Sequence, residues 1–235
     1  MLPLRLIPTI WLVLTLASGA APSFAAEPES AAKCNALKGR PGLETCLRAV
    51  KARPDDERLH QRLGYLYLTL GLYESSINTF RTMTKKWPES WRAHYDLATV
   101  YSYIRAYKYA LPPIETAVRI NASNIDALTL AVVIYKNLKR NDDAFRLALR
   151  ASELGDIGSM AVTAFNYEEG AGTAKDPAKA VDWLRRAARG GHVGAMNRMS
   201  ALYLEGGLGL KPDERKAKMW AARSRQARFG DMKKQ

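Results

Sequence analysis

Residues 57–90 read ERLHQRLGYLYLTLGLYESSINTFRTMTKKWPES, and residues 91–124 read WRAHYDLATVYSYIRAYKYALPPIETAVRINASN. Laid over one another, the two stretches keep their small and aromatic positions in step. Gly64 falls on Ala98, Tyr67 on Tyr101, Ser76 on Ala110 and Met83 on Ala117. The next stretch, from Ile125 to about Gly158, continues with Val132, Tyr135, Ala144 and Ala151. A period of 34 residues marks stacked helical hairpins, none of which buries its apolar face alone. Within each hairpin the apolar residues recur at helical spacing: Leu63, Leu66 and Leu70 on one helix, Ile77, Phe80 and Met83 on the next. Turns are expected at Leu70-Gly71-Leu72, Arg105-Ala106 and Lys139-Arg140-Asn141. The small residues mark the points where two antiparallel helices cross closely. The tyrosines beside them fill the wider gap.

These positions resemble the tetratricopeptide repeat family. The first unit also has the family's aromatic at Phe80 and its closing proline at Pro88, whereas the second has Ile114 and Ala122 there and the third has Ala148 at the aromatic site. One departure is local: Pro112-Pro113 falls in the second helix of the second unit. Proline fits only the first turn of a helix, so this helix is expected either to start late, near Leu111, or to be kinked.

From Gly155 the period changes. Gly155 and Gly158 recur as Gly191 and Gly194, Tyr167 and Gly170 recur as Tyr203 and Gly206, and Asp176, Ala180 and Trp183 recur as Asp213, Ala217 and Trp220. The step is 36 residues for the first two sets and 37 for the third. The motifs are Tyr167-Glu-Glu-Gly170-Ala-Gly172, then Asp176-Pro-Ala-Lys179-Ala180-Val-Asp-Trp183. They resemble the Sel-like repeat family. Asp176 followed by Pro177 reads as an N-cap and first helical position. The two resemblances imply an all-α fold, a right-handed superhelical α-solenoid. The reading places three tetratricopeptide-like units over 57–154 and two Sel-like units over 155–235, with a basic, polar end cap.

Ahead of the repeats, residues 1–25 read as a signal peptide. Arg5 precedes a mostly apolar run from Leu6 to Leu16, and Ser23-Phe24-Ala25 fits a small-x-small cleavage site. The run is shorter than the roughly 20 apolar residues that a spanning helix needs. The expectation is an exported protein of the bacterial periplasm, with no transmembrane segment in its mature form. The chain holds two cysteines, Cys34 and Cys46, and an oxidising compartment would join them. Residues 26–56 then form a disulfide-pinned cap: two short helices, around Ala31–Lys38 and Leu43–Arg53, with Pro41 and Gly42 marking the turn between them. Loop closure of this length is worth about 3 kcal/mol.

The formal net charge is +13. From Lys175 onward, fifteen Lys or Arg stand against six Asp or Glu, so the far end carries much of the excess. Such a field favours anionic partners, here components of the cell envelope; nucleic acid fits the charge but not the compartment.

No catalytic, metal or cofactor site is expected. His60, His94 and His192 are not at metal-ligand spacing, and the repeat step places His60 and His94 at one register. Ser30-Ala-Ala-Lys33 has the Ser-x-x-Lys spacing of penicillin-recognising nucleophiles. Secreted Sel-like repeat proteins that bind β-lactams form a remote alternative. Those relatives are rich in cysteine, and neither Sel-like unit here contains one. The chain is therefore read as a non-enzymatic scaffold, assembly factor or regulator that binds another protein, as an extended segment or a helix. By register with the tetratricopeptide family, the groove would be lined by Arg58, Gln61, Tyr65, Leu68 and Thr69, then Arg92, Tyr95, Thr99, Ser102 and Tyr103, then Thr129, Val133, Lys136 and Asn137. Tyr95 and Tyr103 are the favoured contacts, since tyrosine is enriched at binding hot spots. The second reading is docking on an anionic envelope surface through the basic C-terminal units.

Overall fold

A computed structural model of the chain describes residues 32–34 and 36–232. The leader-like stretch and Ser30 lie outside the described residues. From residue 39 on, the described residues form eleven α-helices: α1 (Gly39–Ala52), α2 (Glu57–Thr69), α3 (Tyr73–Lys86), α4 (Trp91–Tyr103), α5 (Tyr107–Ile120), α6 (Ile125–Asn137), α7 (Asn141–Glu153), α8 (Ile157–Glu169), α9 (Pro177–Arg189), α10 (Val193–Glu205) and α11 (Glu214–Met232). Residues 32–34 and 36 are helical as well. Among the described residues the only β-type pairing is an isolated bridge between Gly207 and Leu210.

From α2 onward the helices pair as antiparallel hairpins, α2 with α3 through α10 with α11, and each hairpin stacks on the next. The fold is an α-solenoid. Its core is a row of clusters, each shared by neighbouring units. Phe80 and Met83 of the first hairpin pack with Ala93, Leu97 and Val100 of the second, and Ile114 and Ala117 of the second pack with Ala127, Ala131 and Ile134 of the third. First helices of successive units touch one another, α2 with α4 and α4 with α6, more than second helices do. The stack therefore closes toward the first-helix side.

Caps repeat with the period. Asp56, Ser90 and Asn124 precede α2, α4 and α6, and the side chain of each accepts a backbone N–H of its helix's first turn. The expected turns are present, centred on left-handed Gly71, Arg105 and Lys139. The histidine register also has a structural role. Nε2 of His60 lies 2.9 Å from the carbonyl of Pro54, and Nε2 of His94 lies 2.9 Å from that of Pro88. His192 caps α10, its Nδ1 accepting from the Ala195 N–H at 3.0 Å.

Two local expectations are corrected. The turn before α1 lies at Leu37 and Lys38, not at Pro41-Gly42, because α1 begins at Gly39 and takes both residues into its start. Proline costs nothing in the first turn, where the backbone N–H has no intrahelical acceptor. A disulfide joins Cys34 to Cys46, and Arg62 of α2 donates to the carbonyls of Cys34 and Leu37, fastening this cap to the first hairpin. The second correction concerns α5, which does not start late: it begins at Tyr107 and runs through Pro112 and Pro113. The carbonyls of Lys108 and Tyr109, one turn before the prolines, lose their helical donors. Both residues lie on the exposed side of the helix, where water can replace the lost bonds.

First helices start at residues 57, 91 and 125, then at 157 and 193. The third unit is two residues short because α7 and the link after it each lose one residue relative to α5 and its link. The tight turn, with Gly155 left-handed, now lies between units, and Gly191 repeats this. The long loop moves inside the hairpin, at 170–176 and 206–213. There the Sel-like motif has a mechanical meaning. The Asp176 N–H donates to the Tyr167 carbonyl at 2.9 Å, Asp176 caps α9, and the Lys179 ammonium lies 5.3 Å from the centre of the Tyr167 ring. Asp213, Tyr203 and Lys216 repeat the arrangement.

Counted back from Asp176 and Asp213, Gly172 and Gly209 stand at the same position, both with positive φ (74° and 80°). A Cβ on Gly172 would stand 2.9 Å from the Asp142 nitrogen and closer still to the Asn141 carbonyl, whereas one on Gly209 would meet nothing within 4 Å. Gly209→Ala should cost about 1–2 kcal/mol, the price of a left-handed non-glycine residue. Gly172→Ala adds a backbone collision and should cost about 3 kcal/mol or more. Urea unfolding of both variants checks the difference.

Candidate functional site

The first helices place several of the predicted groove residues together. Arg58, Gln61 and Tyr65 of α2 and Arg92 of α4 line one cleft of about 640 Å³ with Glu57 and Arg62. The side chain beneath this wall is Asp96, 1 % exposed, one turn beyond Arg92 on α4. The Tyr65 hydroxyl donates to Asp96 Oδ1 at 2.7 Å, and the Gln61 amide donates to Oδ2 at 2.8 Å. Gln61 and Tyr65 are therefore engaged in the wall rather than free to reach a ligand. Desolvation pushes the Asp96 carboxyl up to about 6, against the two hydrogen bonds, which favour the charged form. The same burial, with the Asp96 charge, pushes the Tyr65 phenol up. Arg58 and Arg92 line the same cleft, and the Arg92 guanidinium lies 4.6 Å from the centre of the Trp91 ring.

Other expected contacts are arranged differently. Tyr95 is half-buried, its ring centre 6.1 Å from that of Trp91, and burial followed by the charge of Asp126 pushes its phenol up. Thr99 donates its hydroxyl to the Tyr95 carbonyl. Tyr103 is 63 % exposed but lies at the end of α4, its ring against Tyr73 of α3 at 5.8 Å, outside the cleft. Ser102 does not offer its hydroxyl to a groove: that oxygen is buried and has no hydrogen-bond partner. Leu68 packs against the Phe80 cluster and Thr69 donates to the Leu66 carbonyl. Thr129 donates to the Ile125 carbonyl at 2.9 Å. Asn137 donates to the Val133 carbonyl, and the Lys136 ammonium lies 5.9 Å from the centre of the Phe165 ring.

Phe165 is a residue that sequence reasoning missed. It is 52 % exposed, as is Val133 at 48 %. Each is the ninth residue of its first helix, the register of Tyr65 and Thr99. Phe165 also borders a second cleft of about 420 Å³ with Glu168, Leu184, His192 and Arg198, where Arg198 is ion-paired to Glu168. The signal was available: the two-residue shortening of the third unit shifts the register from step 34 to step 32. Asp96 was equally visible as an acid on the apolar face of α4, between Ala93 and Leu97. Among the described residues, no group of three or more His, Cys, Asp or Glu side chains could hold a metal ion. No helix among them is long and apolar enough to cross a membrane.

The Sel1 repeat family model matches residues 136–156, 159–192 and 193–227. Its first match lies within the unit read above as the third tetratricopeptide-like one. A curated relative, chitin synthase regulatory factor 2 of Schizosaccharomyces pombe, is 35 % identical over 75 residues, covering 32 % of this chain and 15 % of that protein. Among solved structures, a Sel1 repeat protein from Oxalobacter formigenes superposes with a TM-score of 0.58 at 23 % identity, over 80 % of this chain and 79 % of that one. YrrB, described as a TPR protein with an unusual peptide-binding site, gives 0.56 at 18 % identity, over 81 % and 95 %. A protective antigen of uropathogenic Escherichia coli with an SLR fold gives 0.60 at 19 % identity, over 83 % and 44 %.

Because the carboxyl of Asp96 is raised from 3.8 to about 6, its neutral form is favoured by folding. The stabilisation is complete below the unfolded value and is lost as pH rises through about 6. A rise from 3.8 to about 6 corresponds to about 3 kcal/mol. The unfolding free energy of the wild type relative to Asp96→Asn should therefore fall by about that amount between pH 3.5 and pH 7, measured by urea unfolding at each pH.

Proposed function

We propose that this chain, a Sel1-repeat protein with a tetratricopeptide-like solenoid, is a protein-interaction scaffold that holds an extended segment of its partner along the first-helix face. The observation that carries this reading is the register of that face. Tyr65, Thr99, Val133 and Phe165 are each the ninth residue of successive first helices, and Val133 and Phe165 keep about half their surface in water. Large apolar side chains aligned along the inner side of a solenoid suit the alternate side chains of an extended chain. The guanidinium groups of Arg58 and Arg92 at one end, beside Trp91, add a place for an acidic side chain or terminus. The peptide-binding site named for YrrB agrees with a fold that carries such ligands.

The scaffold reading includes no chemistry of its own, and its setting is the periplasm. Support for that setting comes from the leader-like residues 1–25 and from the Cys34–Cys46 disulfide, which persists in an oxidising compartment. Fractionation of the expressed chain should find it in the periplasm, beginning at Ala26 or Glu27. Recovery in the cytoplasm with Met1 intact would overturn the setting without touching the groove.

For the groove itself, a photoreactive side chain in place of Thr99 should crosslink a discrete partner in cells, while one in place of Thr116 on α5 should not. Tyr95→Ala and Phe165→Ala should each weaken binding of the captured partner at least tenfold, as hot-spot truncations do. Equal capture from both faces, or full affinity in both alanine variants, would exclude the groove.

A further inference from the structure

The last two units differ from each other where they ought to match. Between α9 and α11, on the second-helix side, a cleft of about 460 Å³ is lined by Arg185, Arg189, Tyr203, Arg215, Lys216, Met219 and Trp220. The preceding unit supplies an internal control. Tyr203, Lys216 and Trp220 correspond to Tyr167, Lys179 and Trp183, which the fold itself explains: lysine over tyrosine, and a tryptophan buried in the core. The remaining four do not repeat. Arg185, Arg189, Arg215 and Met219 stand where the earlier unit has Leu149, Glu153, Ala178 and Asp182. Counting Lys216 against Lys179, the lining changes from a net charge of −1 to +4.

The structure gives these arginines no internal duty. Among the described residues, Arg185, Arg189 and Arg215 have no ion-pair partner, and neither hydrogen bonds nor stacked rings hold their guanidinium groups. By contrast, Lys216 pairs with Asp213, Arg186 lies over Trp183 and Arg223 over Trp220. Three guanidinium forks without an ion-pair partner around one cleft repel one another, an anion between them relieves the repulsion, and the guanidinium fork matches the oxygens of phosphate. Arg223, one turn beyond Met219 on the same face of α11, is exposed beside the cleft, and Met219, 40 % exposed, places an apolar tip at the rim. A basic cleft with an apolar tip at its rim is complementary to an anionic bilayer, which offers many phosphates in a plane above hydrocarbon.

We propose that the α9–α11 cleft seats the headgroup phosphate of an anionic phospholipid and docks this end of the solenoid on a membrane surface. It lies on the second-helix side and leaves the first-helix face free. The test uses the full chain and vesicles of phosphatidylcholine with or without 30 % phosphatidylglycerol, read by co-sedimentation. The apolar stretch near the N-terminus contributes to both vesicle types, so the readout is the ratio of the two partition coefficients. The ratio should exceed ten in the wild type and fall to near unity when Arg185, Arg189 and Arg215 are all changed to Gln. A control that removes the same charge from the other end, Arg40→Gln with Arg48→Gln and Lys51→Gln, should keep most of it. Equal losses in the two variants would reduce the effect to net charge and overturn the seat. A ratio near unity in the wild type would overturn docking, whether the cleft then binds inorganic phosphate alone or an acidic protein face.

Discussion

Everything in this solenoid depends on how closely the two helices of a hairpin approach. In the first unit the approach is at Gly64, where a Cβ would come within 2.7 Å of ring carbons of the fully buried Phe80. The Ser76 hydroxyl, also fully buried, donates to the Gly64 carbonyl at 2.8 Å across the same gap. Later units reach the same end by trading volume. The Phe80 position becomes Ile114 and then Ala148, both buried, while the Gly64 position grows to Ala98 and Val132. Interiors are packed too densely for either side of the pair to change alone. With the crossing fixed, the hairpins stack at a set rotation, and the positions open to a ligand follow.

The change from one repeat type to the other is a change in where the slack lies. In the first units the tight left-handed turn is inside the hairpin and the longer link is between hairpins. From Gly155 these exchange. The long loops of the last two units carry the Tyr, Asp and Lys contacts that shape the Sel-like motif, and Gly172 brings one loop against the start of α7. The clusters on either side of the exchange are continuous through Phe145 and Leu149 of α7, which pack onto the core of the following unit. Neighbour-to-neighbour burial of this kind lets a solenoid accept a new unit length without losing its core.

Charge divides the molecule. The buried Asp96 holds Tyr65 and Gln61 in the first cleft, which two arginines also line, whereas the last cleft has arginines and no buried acid. One arrangement is a wall held by internal hydrogen bonds. The other is a cluster of like charge in which Asp213 pairs with Lys216 while the arginines have no ion-pair partner among the described residues, and its exposure to water weakens their repulsion. Val133 and Phe165 lie between the two ends, on the opposite side from the basic cleft.

The sequence by itself determined the helical hairpins and their turns, the Asp176 cap, the two periods and the pairing of Cys34 with Cys46, because these depend on local spacing and on residues with narrow steric or chemical options. It also placed Arg58, Gln61, Tyr65 and Arg92 on one face, since a shared period implies a shared face. Only the tertiary structure decided what those residues do there. Gln61 and Tyr65 are consumed by Asp96, which lies 35 and 31 residues from them in the chain and meets them only where α2 and α4 pack together. Likewise Tyr103 leaves the groove for Tyr73, and Phe165 enters it because two missing residues shift the register. Spacing along a chain fixes the direction of a side chain on its helix. What that side chain meets is set by the crossing of helices, and no single helix encodes it.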